Sequence, residues 1–257
     1  MSPARYRQLL ALGLFGIAAT GTALAAPSVA HGSILAALSK WTPFLLGGFG
    51  FNLIISALSM IIGTALGFGL GLGLIARGRL LRHASGLVMN LFRNAPRLVL
   101  LFMCMFLIPF KFTLFGTIIS LPGWSKAVFG LSLAVMANVA EILRGAVRSV
   151  PTTQWESAES LAFSRFQSLW SIILPQCLKR MIPPWMSLYS IITMDTVLVS
   201  VLGVGEVMTL TGEALSSENN DALLLPFYGY VLVWFFLYCY PIGLWTARLE
   251  RRYAVKI

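Results

Sequence analysis

Five apolar runs dominate the chain, at residues 44–76, 98–118, 127–147, 185–207 and 223–247. At 1.5 Å per residue, each is long enough to cross a hydrocarbon core of about 30 Å as a helix. Five such runs in 257 residues leave too little polar chain to cover them in water. Composition agrees: 58% of residues are hydrophobic and 11% charged, against roughly 45–50% and about 25% in soluble domains. Soluble-enzyme, disordered, collagen-like and coiled-coil readings fail on these numbers. An all-α polytopic membrane protein is predicted. The first run is over-long, which places its start around Pro43 to Gly48 in the interface.

Ahead of these spans, Arg5 and Arg7 precede an apolar stretch from Leu9 to Ala19 and the small residues Ala23-Leu24-Ala25-Ala26. That layout fits a cleaved signal peptide or a sixth span. The chain therefore divides into an N-terminal hydrophobic segment and linker, 1–40, which contains His31, and a transmembrane domain, 41–257.

Nineteen Lys and Arg against nine Asp and Glu give a net charge of +10. The basic residues sit between spans and not on one polar face, so they set topology, and no nucleic-acid partner is expected. With Arg5 and Arg7 cytoplasmic, an alternating path puts 16 of the 19 inside, leaving Lys40, Lys111 and Lys126 outside. The outer loop near 206–221 carries Glu206, Glu213, Glu218 and Asp221 instead. The C-terminus is then cytoplasmic. Cys104, Cys177 and Cys239 are widely spaced and form no CxxC pair, and His31 and His83 are the only histidines. No disulfide framework or metal site is expected.

Gly63, Gly67 and Gly71 repeat every four residues, and Gly69 and Gly73 do so nearby. Small residues at that spacing let helix backbones meet in lipid. The segment 148–184 is too polar to cross and too long for a tight turn, so it is expected to work in the cytoplasm. Trp155, Ala158, Ala162, Phe166 and Leu169 mark one apolar face of an amphipathic helix there. Thr153 and Glu156 fit a capping box at its start, and Pro175 is expected to end it. Such a helix rests on headgroups or docks on a partner. Asp195 lies mid-span, where an ionisable group faces a pathway or bonds another helix. Glu141 and Arg144 are spaced for an i,i+3 ion pair. Asn52, Asn138 and Thr196 line the path or bond helices together.

The stretch Glu141-Ile-Leu-Arg144-Gly-Ala-Val-Arg148-Ser-Val-Pro151, then Glu156-Ser157-Ala158, Ala162, and Ile172-Ile-Leu174-Pro175 resembles the coupling loop of ABC importer permeases, EAA-x3-G-x9-I-x-L-P. Ser157 and Ala162 depart from the pattern. Ala162 stands where the family has glycine, and adopts positive φ less cheaply. Phe92-Arg93-Asn94-Ala95-Pro96, Pro183-Pro184, Asp195-Thr196 and Leu198 to Val204 are similar to the polar amino-acid uptake branch. That branch usually has lysine before the aspartate, where this chain has Met194.

The resemblance covers about residues 44–254. It implies a type I permease subunit of five core transmembrane helices in the bacterial inner membrane, importing a polar amino acid or a related compound. Glu156, Ser157, Ala158, Ala162, Ile172, Leu174 and Pro175 would form the coupling surface. Expected partners are a cytoplasmic ATPase dimer, a second permease subunit, identical or homologous, and an extracytoplasmic solute-binding protein. The chain itself is expected to be non-catalytic and without cofactor. It has no G-x-x-x-x-G-K-[ST] loop, so ATP and magnesium belong to the ATPase. The rivals are an ABC permease for another small solute and an ion-driven secondary transporter. The latter calls for intramembrane carboxylates and inverted repeats, and the chain offers one mid-span Asp and no visible repeat.

Overall fold

The computed structural model describes residues 31–114 and 117–253. The predicted signal peptide or sixth span at 1–30, residues 115–116 and the last four residues lie outside them. Four stretches are long and apolar enough to cross a membrane: Ile34–Ile75, Gly123–Arg148, Arg165–Leu202 and Asp221–Arg252. A fifth stretch, Arg79–Asn94 with Arg97–Leu107, is long and apolar enough only as a pair bent by 104°, so the span expected at 98–118 does not form as a single crossing helix.

Helix α1, His31–Ile75, has 45 residues, about twice what a bilayer core needs. The linker expected up to residue 40 is therefore helical from His31 onward, and Pro43 does not break it. Tertiary packing overrides the proline: Ile34, Ala37, Leu38 and Trp41 recur on one face and pack, with Leu45, against Val207, Ala214, Leu223 and Phe227.

The run 98–118 is not one helix. Helix α2, Arg79–Asn94, meets α3, Arg97–Leu107, at an angle of 104° across Ala95 and Pro96. Pro96 removes a backbone donor and drives Ala95 to extended geometry, with ψ at 135°. Pro109 stops α3 in the same way. An antiparallel hairpin follows, β1 Lys111–Leu114 and β2 Thr117–Ser120, paired Lys111 to Ser120 and Leu114 to Thr117. It is the one departure from an all-helical fold among the described residues.

Helix α4, Gly123–Arg148, is the central element and the most buried of the four long spans. A Cβ added at Gly67 would stand 2.6 Å from the Met136 carbonyl of α4, and at Gly71, 2.8 Å from Leu143. At Gly63 it would run into Val135, and at Gly73 into Ser85 of α2. The glycine seam thus lets the α1 backbone approach its neighbours closely, as predicted, onto a carbonyl at Gly67 and onto side chains at Gly63, Gly71 and Gly73, except at Gly69, which has nothing within 4 Å.

After α4 come α5, Thr152–Ser160, and α6, Arg165–Gln167, which runs through a π-helical turn, Ser168–Ile173, into α7, Leu174–Asp195. A 3-10 turn, Thr196–Leu202, leads to α8, Val207–Glu218, a further turn at Asp221–Leu223, and α9, Leu224–Tyr253. Two apolar clusters mark opposite ends. One joins Leu143, Val147, Val150, Ile173 and Cys177, with Ile75 and Trp155 packed on it. The other joins the start of α1 to α8 and α9.

Candidate functional site: the loop between α4 and α7 and the polar cluster of the bundle

The last turn of α4 leaves backbone carbonyls without helical partners. Arg180 of α7 takes one of them, donating from Nη1 to the Ser149 carbonyl at 2.6 Å and to its hydroxyl at 2.7 Å. A cation at a helix C-terminus is favourable, and this one ties α4 to α7 on either side of the intervening loop.

Pro151 then starts α5. The predicted capping box at Thr153 and Glu156 does not form, because Pro151 occupies the N-cap and no side chain caps the helix. Proline at that edge supplies pre-set φ without needing a bond. A capping box forms instead at the start of α6, at Ser164 and Gln167.

The apolar face expected to run continuously from Trp155 to Leu169 is broken as well. Helix α5 ends at Ser160, and Ala162 turns the chain with φ at +58°. Its N–H bonds the Glu159 carbonyl at 2.9 Å, while Phe163 N–H returns to the Ala158 carbonyl at 3.0 Å. This is a left-handed C-terminal closure at the position where glycine stands in the motif. A non-glycine residue there costs roughly 1–2 kcal/mol.

Pro175 does not end the helix, contrary to expectation. It sits in the first turn of α7, where the widened π turn before it accommodates the missing N–H.

The motif residues divide by direction. Ala158 is 1% exposed and faces its own subunit, while Glu156 and Ser157 face outward. Leu174 is buried and Ile172 half-buried against the cluster around Leu143, Val147 and Cys177. Trp155 packs on the same cluster, under the Arg165 guanidinium at 4.8 Å. The result is a short helix anchored on its apolar side that presents an acid and small polar residues.

A second group lies within the bundle. Arg97, the first residue of α3, holds Asp195 at the end of α7, with Nη1 2.8 Å from Oδ2 and 3.0 Å from Oδ1. Asp195 lies 15 residues beyond Arg180, about 22 Å along α7. Arg97, assigned to the cytoplasm by charge counting, is therefore drawn toward the middle of the bundle. It supplies the cation that Met194, 51% exposed, does not. Near the end of α4 that leads into the loop, Glu141 bonds Arg144 at 2.7 Å, as its spacing predicted, and also approaches Arg93 at 3.6 Å.

Asn52 is fully buried and donates to Thr196 Oγ1 at 2.9 Å and Glu206 Oε2 at 2.8 Å, and accepts from Val207 N–H at 3.1 Å. Glu206 also caps α8, accepting from Met208 N–H at 2.9 Å and Thr209 N–H at 3.0 Å. Asn52 and Thr196 therefore bond elements together. Asn138 does not: its amide returns to Ala134 O of its own helix at 2.8 Å.

Two charged residues in this region were not visible in the sequence. Glu206 counted as one of four acidic residues of an outer loop, yet it is completely buried. Burial pushes its carboxyl above the usual range, against the pull of Asn52 and the two N–H donors. Lys126, placed outside, is 1% exposed and donates to the Ile108 carbonyl at 2.7 Å, capping α3. An acidic residue directly before an apolar helix start was the available signal for Glu206. For Lys126 there was none.

Residues 63–255 match the family described as binding-protein-dependent transport system inner membrane component. The chain is 29% identical over 212 residues to a probable amino-acid ABC transporter permease protein, YckA, of Bacillus subtilis, covering 82% of this chain and 90% of that protein. It is 33% identical over 181 residues to y4tF of Sinorhizobium fredii, also described as a probable amino-acid ABC transporter permease, covering 68% and 76%. In fold it is similar to a solved amino acid ABC transporter with histidines, with a TM-score of 0.73 at 22% identity, over 84% of this chain and 97% of that one.

Proposed function

The chain belongs to the binding-protein-dependent transport system inner membrane components, and from that premise we propose how it works as the amino-acid permease subunit of an ABC importer. The carrying observation is α5, anchored by Ala158, Trp155 and the Arg180–Ser149 bonds and exposing Glu156 and Ser157. A helix fixed on one side and polar on the other suits a cleft in a cytoplasmic ATPase dimer. ATP and magnesium belong to that dimer. A second permease subunit, identical or homologous, completes the path, and an extracytoplasmic binding protein delivers a polar amino acid or a related compound. The chain performs no covalent chemistry.

Closure of the ATPases displaces α5, and because α5 rests on the cluster shared by α1, α4 and α7, those spans move with it. Asp195, paired with Arg97, and Thr196 stand near the middle of the bundle, where a charged or polar solute passes. The loop 148–184 and the C-terminus face the cytoplasm, supported by the basic residues at that end.

The test is uptake into vesicles holding the co-purified complex. Uptake that needs ATP and ignores an ionophore supports this reading. Uptake driven by an ion gradient alone would replace it with a secondary transporter. Cys177 is fully buried and a poor topology probe, so a cysteine at exposed Glu159 serves instead. Labelling of that site only from outside would remove the coupling role.

A further inference from the structure

A cleft of about 320 Å³ opens between the end of α1 and the segment that leads into α7. Its volume is at the lower edge of the roughly 300–1,000 Å³ typical of ligand sites. Arg77 and Arg165 line it together with Leu72, Ile75, Leu169 and Trp170. Both arginines are exposed, and neither has a carboxylate within 4.0 Å among the described residues. Phe166 and Trp170 stand at the same level, 71% and 43% exposed, and their rings lie 5.9 Å apart. The Trp170 ring in turn lies 6.1 Å from Phe68, nine residues and about 13 Å up α1 from Arg77. The cleft therefore has a cationic end and an apolar wall that continues along a membrane-spanning helix.

From this geometry we infer that the cleft binds one anionic phospholipid of the inner leaflet, with the phosphate between Arg77 and Arg165 and an acyl chain along Leu72, Leu169 and Trp170. The arginine fork fits the paired oxygens of a phosphodiester, and two arginines at one end favour an anionic over a zwitterionic headgroup. Exposed tryptophan and phenylalanine at the end of a span match the level of headgroups, and basic pockets between spans on the cytoplasmic side take anionic headgroups. A soluble anion would leave the apolar wall wet. The bound lipid ties the end of α1 to the segment that follows α5. The inference rests on the cytoplasmic placement of residues 148–184 proposed above.

The experiment uses the purified complex, delipidated in detergent and titrated with phosphatidylglycerol or phosphatidylcholine, with retained lipid read by native mass spectrometry. Phosphatidylglycerol should be retained over phosphatidylcholine. Arg77→Gln and Arg165→Gln should each weaken retention about fivefold, the equivalent of about 1 kcal/mol per charge. Arg77→Lys and Arg165→Lys should keep most of it, and Arg79→Gln, outside the cleft, should keep all of it. Equal retention by the doubly neutralised variant, or equal retention of both lipids, overturns the site. Displacement by glycerol phosphate in solution overturns it in favour of a soluble anion. Outside-only labelling of a cysteine at 165 would remove the topology, a failure distinct from any change in lipid retention.

Discussion

The two ends of the bundle handle polar groups in opposite ways. At the end near α8, proposed above to face outward, Asn52 and Glu206 are completely buried, and Asn52, Thr196, Glu206 and the start of α8 bond one another. At the end near α5, proposed above to face the cytoplasm and so the inner end, the Glu141–Arg144 pair is partly exposed, and the side chains of Glu156 and Ser157 face outward with no bond to the rest of the subunit among the described residues. A buried, satisfied network fixes one arrangement, because each broken bond strands a desolvated group. An exposed acid on an anchored helix leaves its bonds for a partner. The outer end is therefore built to hold its shape and the inner end to receive force.

The largest test of that contrast is at the inner end. Glu156→Lys should abolish transport while the subunit still inserts and assembles, since the side chain touches nothing inside the subunit. Ala158→Trp should abolish it by a different route, because Ala158 faces inward and a large ring would lift α5 off its cluster. Limited proteolysis separates the two: the first variant should keep α5 protected from protease, the second should not. Normal uptake by both would dissolve the contrast.

At the centre, Gly67→Leu should cost about 1–3 kcal/mol by overpacking, seen as a lower unfolding temperature in detergent, whereas Gly69→Leu, with open space around it, should leave that temperature unchanged. At the outer end, Asn52→Leu should destabilise by about 1–3 kcal/mol, because Glu206 is left short of a donor. Asn138→Leu should cost far less, since Asn138 bonds only its own helix. An equal loss from both would show that the outer network is not special.

Asp195→Leu should cost about 0.6–1.7 kcal/mol, the range for hydrogen bonds between membrane helices, and impair uptake. Asp195→Asn should keep assembly and change uptake alone. The smallest effect is a gain: Ala162→Gly should raise stability by about 1 kcal/mol, as glycine adopts φ of +58° without the Cβ penalty. No gain in unfolding temperature would mean that the surrounding turn has absorbed the strain.

How much of this was legible depends on the range of the interaction. The spans and the glycine seam are written in local periodicity, and the seam reads correctly at Gly63, Gly67 and Gly71. The proline at 96 was visible, but a proline says where a helix breaks and not that the halves will meet at 104°. Pro175 misled because the π turn before it outweighed the local rule. The resemblance to the motif located the short helix of this loop, and Ala158 turns inward as its place on the apolar face predicted, while the break of that face at Ala162 was not written in the spacing. Arg97 and Asp195 are separated by 98 positions. Charge counting treats such residues singly and cannot pair them, which is why Arg97 and Glu206 were assigned to the wrong surroundings.

The contact between α1 and α4 has a mechanical consequence. At Gly67 the α1 backbone meets the Met136 carbonyl, and at Gly63 and Gly71 it meets the side chains of Val135 and Leu143, so no α1 side chain stands between the two helices at these positions and they move as a single lever. Any rocking of the subunit must then be taken up at the joints that flank it, at 76–78, at Ala95 and Pro96, and at 161–164. Stiffening those joints with an added proline or a cross-link should slow the transport cycle, and at 76–78 and 161–164 it does so away from Arg97 and Asp195.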